Sequence, residues 1–192
     1  MDRDKAMASL AEEARACRRC CLARTRTRVV FGDGNPSSRI LFVGEAPGFH
    51  EDRQGIPFCG KAGKILDNLL SSVGLSRKSV YIANVLKCRP PGNRDPLPDE
   101  IALCTPYLSR QVEIIRPEVV CCLGRFSLAW ACRHFAIPHP GNISRVHGQV
   151  FSTGEDLFGS VSIVALYHPA VATYNPEAFN ILRKDFAVLA SL

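Results

Sequence analysis

The side chains best suited to chemistry in this chain stand where short apolar runs give out. Glu45 follows Ile40-Leu41-Phe42-Val43, Asn84 closes the run that begins at Val80, and His168 follows Ser162 to Leu166. Phe58 sits between Pro57 and Cys59 in the segment Gly44 to Gly60, GEAPGFHEDRQGIPFCG. An acid, a carboxamide, an imidazole and an aromatic ring can together stack on a flat ligand, read its polar edge and manage charge. Each has a plainer reading alone. A histidine before proline is commonly a turn residue, an asparagine at a strand end a cap, and a phenylalanine a core anchor. Convergence is the specific part of the signal.

Nine cysteines form the second reactive set. Two residues separate Cys17 from Cys20, fifteen separate Cys88 from Cys104, and sixty-seven lie between the pairs. A two-residue gap lets two thiolates face one centre. Zinc ribbons usually carry two close pairs, whereas one close pair plus two scattered cysteines suits an iron–sulfur cluster. Spacing alone leaves cluster, zinc and unligated thiols open, in that order. Cys59, Cys121, Cys122 and Cys132 stand in apolar surroundings and read as small buried hydrophobes. Cys21 could compete with Cys20.

The elements that must position these groups alternate. Helical periodicity spans residues 4–16, 62–73, about 99–115 with a break or kink at Pro106, 126–135 and 176–189. Strands are expected at Ile40–Val43, Val80–Val85, Val119–Leu123 and Ser162–Leu166, with a short one at Gln149–Ser152. The four main strands are nearly all apolar, which argues for a parallel sheet covered on both faces. Ligands of such sheets gather outside the carboxyl ends of the strands. Arg24, Arg26 and Arg28 alternate as a basic edge strand or a solvated face, and Gly44 to Gly60 reads as a long polar loop.

The 192 residues suit one domain with a full core, and 46% hydrophobic against 22% charged residues excludes a disordered chain. No apolar run approaches membrane-spanning length, and no signal-peptide core opens the chain, so a cytoplasmic protein is expected. Lys plus Arg total 24 against 18 Asp plus Glu, a net +6 that suits a polyanionic partner.

With these residues assembled, the chain resembles the family-four uracil-DNA glycosylases, the iron–sulfur class of that superfamily. The matching pieces are Cys17-x-x-Cys20, Gly44-Glu45-Ala46-Pro47-Gly48 with Glu51-Asp52, and Gly55-x-Pro57-Phe58-x-Gly60-x-Ala62-Gly63. Asn84-Val85-x-Lys87-Cys88-Arg89-Pro90-Pro91-x-Asn93-Arg94, Cys104 and His168-Pro169-Ala170 complete them, in the family's order. The sequence departs from the pattern at Cys21, where proline is common, and at Cys59, where an aliphatic residue is common.

The resemblance implies one uracil-DNA glycosylase-like domain over residues 1–192. Its fold class is α/β and three-layer, with a central four-stranded parallel sheet flanked by helices. The implied activity is monofunctional hydrolysis of the N-glycosidic bond of flipped-out uracil, leaving an abasic site in DNA repair. The implied cofactor is a 4Fe-4S cluster on Cys17, Cys20, Cys88 and Cys104, with a structural role. Uracil-containing DNA, single- or double-stranded, is the expected partner of a monomer that engages no membrane. His168 and Glu45 are the expected catalytic pair, although better-known relatives carry an aspartate where this chain has Ala46. Phe58 and Asn84 are expected to bind uracil together with Gly44 and Ala46, and Glu51 to refuse the thymine methyl. Arg145, His147 and the segment Val171, Ala172, Thr173 and Tyr174 are expected to contact DNA. A sister glycosylase for another deaminated base, and a non-catalytic iron–sulfur protein that binds nucleic acid, remain the alternatives.

Overall fold

The computed structural model describes residues 2–154, 159–173, 175 and 177–192. Six strands form one sheet: β1 (Asp33–Gly34), β2 (Ile40–Gly44), β3 (Tyr81–Asn84), β4 (Val119–Leu123), β5 (Val150–Ser152) and β6 (Ser162–Leu166). Their order is β1-β3-β2-β4-β6-β5. The four central strands are parallel and the two edge strands antiparallel, so the expected four-stranded sheet is the core of a mixed six-stranded one. β5 fulfils the short-strand expectation. β1 was not foreseen, because Asp33-Gly34-Asn35-Pro36 carries a turn signal and pairs over two residues only.

The helices are α1 (Arg3–Ala16), α2 (Phe49–Gln54), α3 (Lys61–Ser72), α4 (Pro98–Ile115), α5 (Arg125–His134), α6 (Ile143–Val146) and α7 (Glu177–Phe186). Side chains alternate across each strand, and here both sides are covered. Leu41, Val43, Ala83, Val120 and Cys122 pack with Met7 and Leu10 of α1, Leu108 and Ile115 of α4, and Leu128 of α5. Phe42, Ile82, Cys121 and Val164 pack on the other side with Leu66 and Leu69 of α3 and Leu182 and Phe186 of α7. Each fully buried Leu or Phe contributes about 1.5–3 kcal/mol by leaving water.

Three expectations need correcting. The Gly44 to Gly60 stretch is not all loop: α2 lies inside it, begun at Gly48 and stopped by Gly55 at φ 77°. Pro106 lies within α4 without breaking it into two helices, and Cys104, Tyr107 and Leu108 around it are buried. The Arg24–Arg28 segment is not a strand, and Arg24 and Arg28 are exposed as a solvated face requires, but the segment is not solvated throughout. Arg26 turns inward and donates to Cys88 Sγ at 3.2 Å, Cys17 O at 2.6 Å and Arg15 O at 3.2 Å. The expected start of the last helix, Pro176, lies outside the described residues.

The chain leaves β2 for β3 on one side and later places β4 on the other. The strand order therefore reverses at β2, and a crevice opens beyond its carboxyl end. Backbone bonds prolong the β2–β3 pairing past the strands themselves, from Val85 N to Gly44 O at 3.0 Å and from Leu86 N to Glu45 O at 2.9 Å. These bonds fix Glu45 next to Asn84 at the rim.

Candidate active site

A cleft of about 580 Å³ occupies that crevice. Glu45, Ala46, Glu51, Phe58, Asn84, His168 and Thr173 all line it. Gly44 does not line it but lies buried against Asn84 and Phe58, which do. A Cβ there would collide with Asn84 Oδ1 and come within 2.7 and 2.8 Å of Phe58 ring carbons, so only glycine lets the amide and the ring close on this point.

Phe58 is 5% exposed, and its ring stacks on His168 with centroids 5.4 Å apart at 28°. Its backbone is left-handed, φ 51°, which is costly for a bulky residue unless the surroundings enforce it. Arg77 enforces it. Its guanidinium donates to Phe58 O and, at 2.9 Å, to Pro57 O, while Nε bonds Asp67 at 2.6 Å. Gly63 adds the space, because a Cβ at that position would overlap the Phe58 carbonyl.

Asn84 is 2% exposed, and its Oδ1 is buried without a hydrogen-bond partner among the described residues. An unsatisfied buried acceptor costs on the order of 1–3 kcal/mol and points to a missing donor. Its backbone is held from behind by Lys87, whose Nζ donates to Asn84 O at 2.9 Å and to Gln111 Oε1 at 2.6 Å.

His168 Nδ1 accepts from Ala170 N at 3.2 Å. A nitrogen that accepts cannot carry the proton, so the neutral ring holds it on Nε2. Burial pushes the imidazole down to about 4, against the opposing pull of the Glu51 carboxylate. The ring is therefore a neutral donor at pH 7. Glu51 is itself held by Gly60 N, 2.9 Å from Oε1. Burial raises the Glu45 pKa, Asp95 raises it further, and Arg125 opposes both.

Not every expected residue reaches the cleft. Thr173 does, but Val171 stands 40% exposed near its rim, and Ala172 packs against the core below. Arg145 is exposed away from the lining. His147 is taken up elsewhere: Nδ1 lies 2.8 Å from Asp185 Oδ2 and the ring stacks on Tyr167 at 4.2 Å. Tyr174 lies outside the described residues.

Behind the cleft, Ala46 packs on a small cluster of Leu22, Leu86, Cys88, Cys104 and Cys20. Lys87 N donates to Cys104 Sγ at 3.2 Å, and Arg26 reaches Cys88 Sγ. N–H donors aimed at sulfur suit thiolate ligands. Among the described residues no three His, Cys, Asp or Glu side chains converge tightly enough for a single metal ion. Cys21 does not compete, because its thiol is exposed and faces Glu100 Oε1 at 3.4 Å. Cys121, Cys122 and Cys132 are buried as expected, whereas Cys59 is half-buried.

Sequence reasoning missed Arg77, Asp67, Gln111 and the structural use of Lys87 and Arg26. No local signal marks them, because each acts on a group far away in the chain. The buried Glu100, bound by Arg94 at 2.6 and 2.9 Å and by Leu97 N at 2.9 Å, has a faint one, since it follows a proline at the start of α4.

Asn84 and His168 thus line one cleft at the switch point of a sheet whose four central strands are parallel. Residues 31–190 match the family model described as the uracil DNA glycosylase superfamily, and the chain belongs to that family. Among curated proteins it is 46% identical to the type-4 uracil-DNA glycosylase of Archaeoglobus fulgidus, over 95% of this chain and 91% of that protein. It is 43% identical to the type-4 enzyme of Saccharolobus solfataricus, over 92% and 82%, and 40% identical to that of Thermotoga maritima, over 90% and 86%.

Proposed function

We propose that the chain, acting as one domain, removes uracil from DNA by hydrolysing its N-glycosidic bond and leaves an abasic site. The observation that carries this reading is the buried, partnerless Asn84 Oδ1, which shares a cleft with a neutral histidine whose proton is on Nε2. Uracil offers N3–H to Asn84 Oδ1 and O4 to its Nδ2. Cytosine presents the reverse pattern, so an amide held in one orientation rejects it by leaving polar groups unpaired. The uridine must leave the base stack to reach this depth. Phe58 receives one face of the ring, and stacking of this kind is worth about 1–3 kcal/mol.

Bond cleavage places negative charge on uracil O2 and positive charge on the sugar. His168 Nε2–H donates to that oxygen from a fixed position, so the pocket needs no reorganisation as charge develops. Glu45 lies on the same rim and positions the attacking water or stabilises the sugar cation. Glu51, immobilised by Gly60, closes the side on which thymine carries its methyl. Val171 at the rim is placed to enter the vacated stack, with Ala172 and Thr173 supporting its turn. Arg145 is free to meet phosphate at longer range.

Cys17, Cys20, Cys88 and Cys104 would hold a 4Fe-4S cluster. The N–H···S contacts at Cys88 and Cys104 suit thiolate ligands, and the resemblance to the iron–sulfur class supports a cluster over zinc. The cluster would supply structural cross-linking of the N-terminal segment to the proline-rich loop that borders the cleft.

The deciding assay is uracil release from a single strand and from a U:G duplex, with hypoxanthine and thymine mismatches as competitors. Release of uracil alone is expected, with iron and sulfide in the purified protein. Release of another base in preference to uracil overturns the reading.

A further inference from the structure

The cleft is larger than its innermost ligand. A pyrimidine is far smaller than the ligands that clefts of about 580 Å³ take, and on the uracil reading Asn84, Phe58 and His168 suffice to surround one base at the inner end. The outer end is lined by Phe49, His50, Lys61, Pro90 and Asn93. Phe49 is 47% exposed, the largest exposure among the big apolar side chains of the described residues. It cannot serve the core. Arg53, one turn on in α2, holds its guanidinium carbon 5.4 Å from the Phe49 ring centroid, and Arg89 of the proline-rich loop holds its own at 5.3 Å. Arg89 is steadied by Asn93 Oδ1 at 2.6 Å, and His50 meets the ring edge-on at 5.5 Å.

An exposed aromatic ring flanked by two planar cations, continuous with a nucleobase pocket on a chain of net charge +6, matches one chemistry closely. Nucleobases stack on aromatic rings and on guanidinium planes alike, and the phosphates beside them pair with the same cations. We propose that Phe49, with Arg53 and Arg89, forms a ledge that stacks the nucleotide adjoining the flipped uridine on the same DNA strand. This rests on the uracil reading and extends it to a second nucleotide subsite. The ledge compensates part of the unstacking that flipping imposes on the neighbouring base. It gives the protein a grip on single strands, where such a base is already free.

The test uses the cluster-loaded protein and a short single strand carrying a hydrolysis-resistant fluorinated deoxyuridine, with a fluorescent adenine analogue on its 5′ or 3′ side. Wild type should quench one of the two analogues on binding. Phe49→Ala should abolish that quenching and weaken strand binding by about tenfold, whereas Phe49→Trp should retain both. Arg53→Gln should weaken binding less and lower the slope of log affinity against log salt by about 0.7, the loss of one phosphate contact. Inhibition by free uracil separates ledge from pocket, because it should respond to Phe58→Ala and not to Phe49→Ala. Unchanged strand affinity in Phe49→Ala, or equal weakening of strand and free uracil, overturns the ledge. Uracil release by wild type from the unfluorinated strand keeps the questions apart. Its absence sinks the glycosylase reading, while its presence beside an indifferent Phe49→Ala sinks the ledge alone.

Discussion

The cleft and the cysteine-bearing corner stand back to back across Ala46, yet they treat polar atoms in opposite ways. In the corner, polar groups are spent on the protein itself. Arg26 binds two carbonyls and a sulfur, Glu100 takes Arg94 and the Leu97 amide, and Lys87 lies between Asn84 O and Gln111. In the cleft, side chains are aimed by bonds to their backs while their fronts stay open. Asn84 is held through its carbonyl, Phe58 through its peptide and His168 through Nδ1. Saturated polar groups make a scaffold, whereas an unpaired acceptor beside an unpaired donor makes a binding site.

The contrast breaks most visibly at His168. His168→Ala should lower kcat/KM for uracil release by a hundredfold or more, about 3 kcal/mol, with the fold intact by circular dichroism. The pH dependence sharpens this. With the folded imidazole near 4, activity should show no histidine limb around pH 6.5, and loss of the donor state should begin only near pH 4. Stability follows the same linkage. The unfolded ring takes a proton near 6.5 that the folded ring refuses until about 4, so stability falls as pH drops through that window. Thermal melts of His168→Ala should lack that part of the acid loss. A wild-type activity limb near pH 6.5 that vanishes in His168→Ala would contradict the neutral-donor assignment.

Much of this was legible beforehand, for a physical reason. A parallel sheet buried on both faces writes its strands as apolar runs, so the residues that end those runs fall on one rim. Glu45, Asn84 and His168 were found that way. Phe58 was found through its glycine- and proline-rich setting, although its left-handed backbone was not. What stayed hidden acts across long separations or in very short elements. Arg77 reaches back nineteen residues to Phe58, Arg26 spans sixty-two to Cys88, and β1 is two residues long. The contact of His147 with Asp185 was also hidden, because a basic residue before glycine looks the same whether it faces solvent or a buried carboxylate.

A smaller effect is expected where scaffold and site share a residue. Arg77 touches no ligand and belongs to the paired class, yet it sets the Phe58 peptide. Arg77→Ala removes the grip that maintains a left-handed phenylalanine, a conformation costing on the order of 1–3 kcal/mol. The melting temperature should fall by roughly 4–8 °C for about 2 kcal/mol. Inhibition by free uracil should weaken by about tenfold, or ~1.4 kcal/mol. A purely structural arginine would lower the melting temperature alone. The double variant Phe58→Ala/Arg77→Ala decides between them, because a residue acting through the ring adds nothing to uracil affinity once the ring is gone.

The smallest effect, and the one that reverses the usual sign, belongs to Glu45. Its folded pKa is raised by burial and by Asp95, so the charged form costs the folded state something at neutral pH. Glu45→Gln removes that charge while keeping the shape. It should raise the melting temperature at pH 7 slightly, while uracil release drops. The gain must also fade with acid. As pH falls through the raised folded pKa, the wild-type carboxyl protonates and becomes as neutral as the amide, so the two melting curves should converge. A stabilisation that persists undiminished to low pH would trace the difference to packing instead of charge, and Glu45 would then lose its claim to be held ionised, at some expense to the fold, for the sake of the reaction.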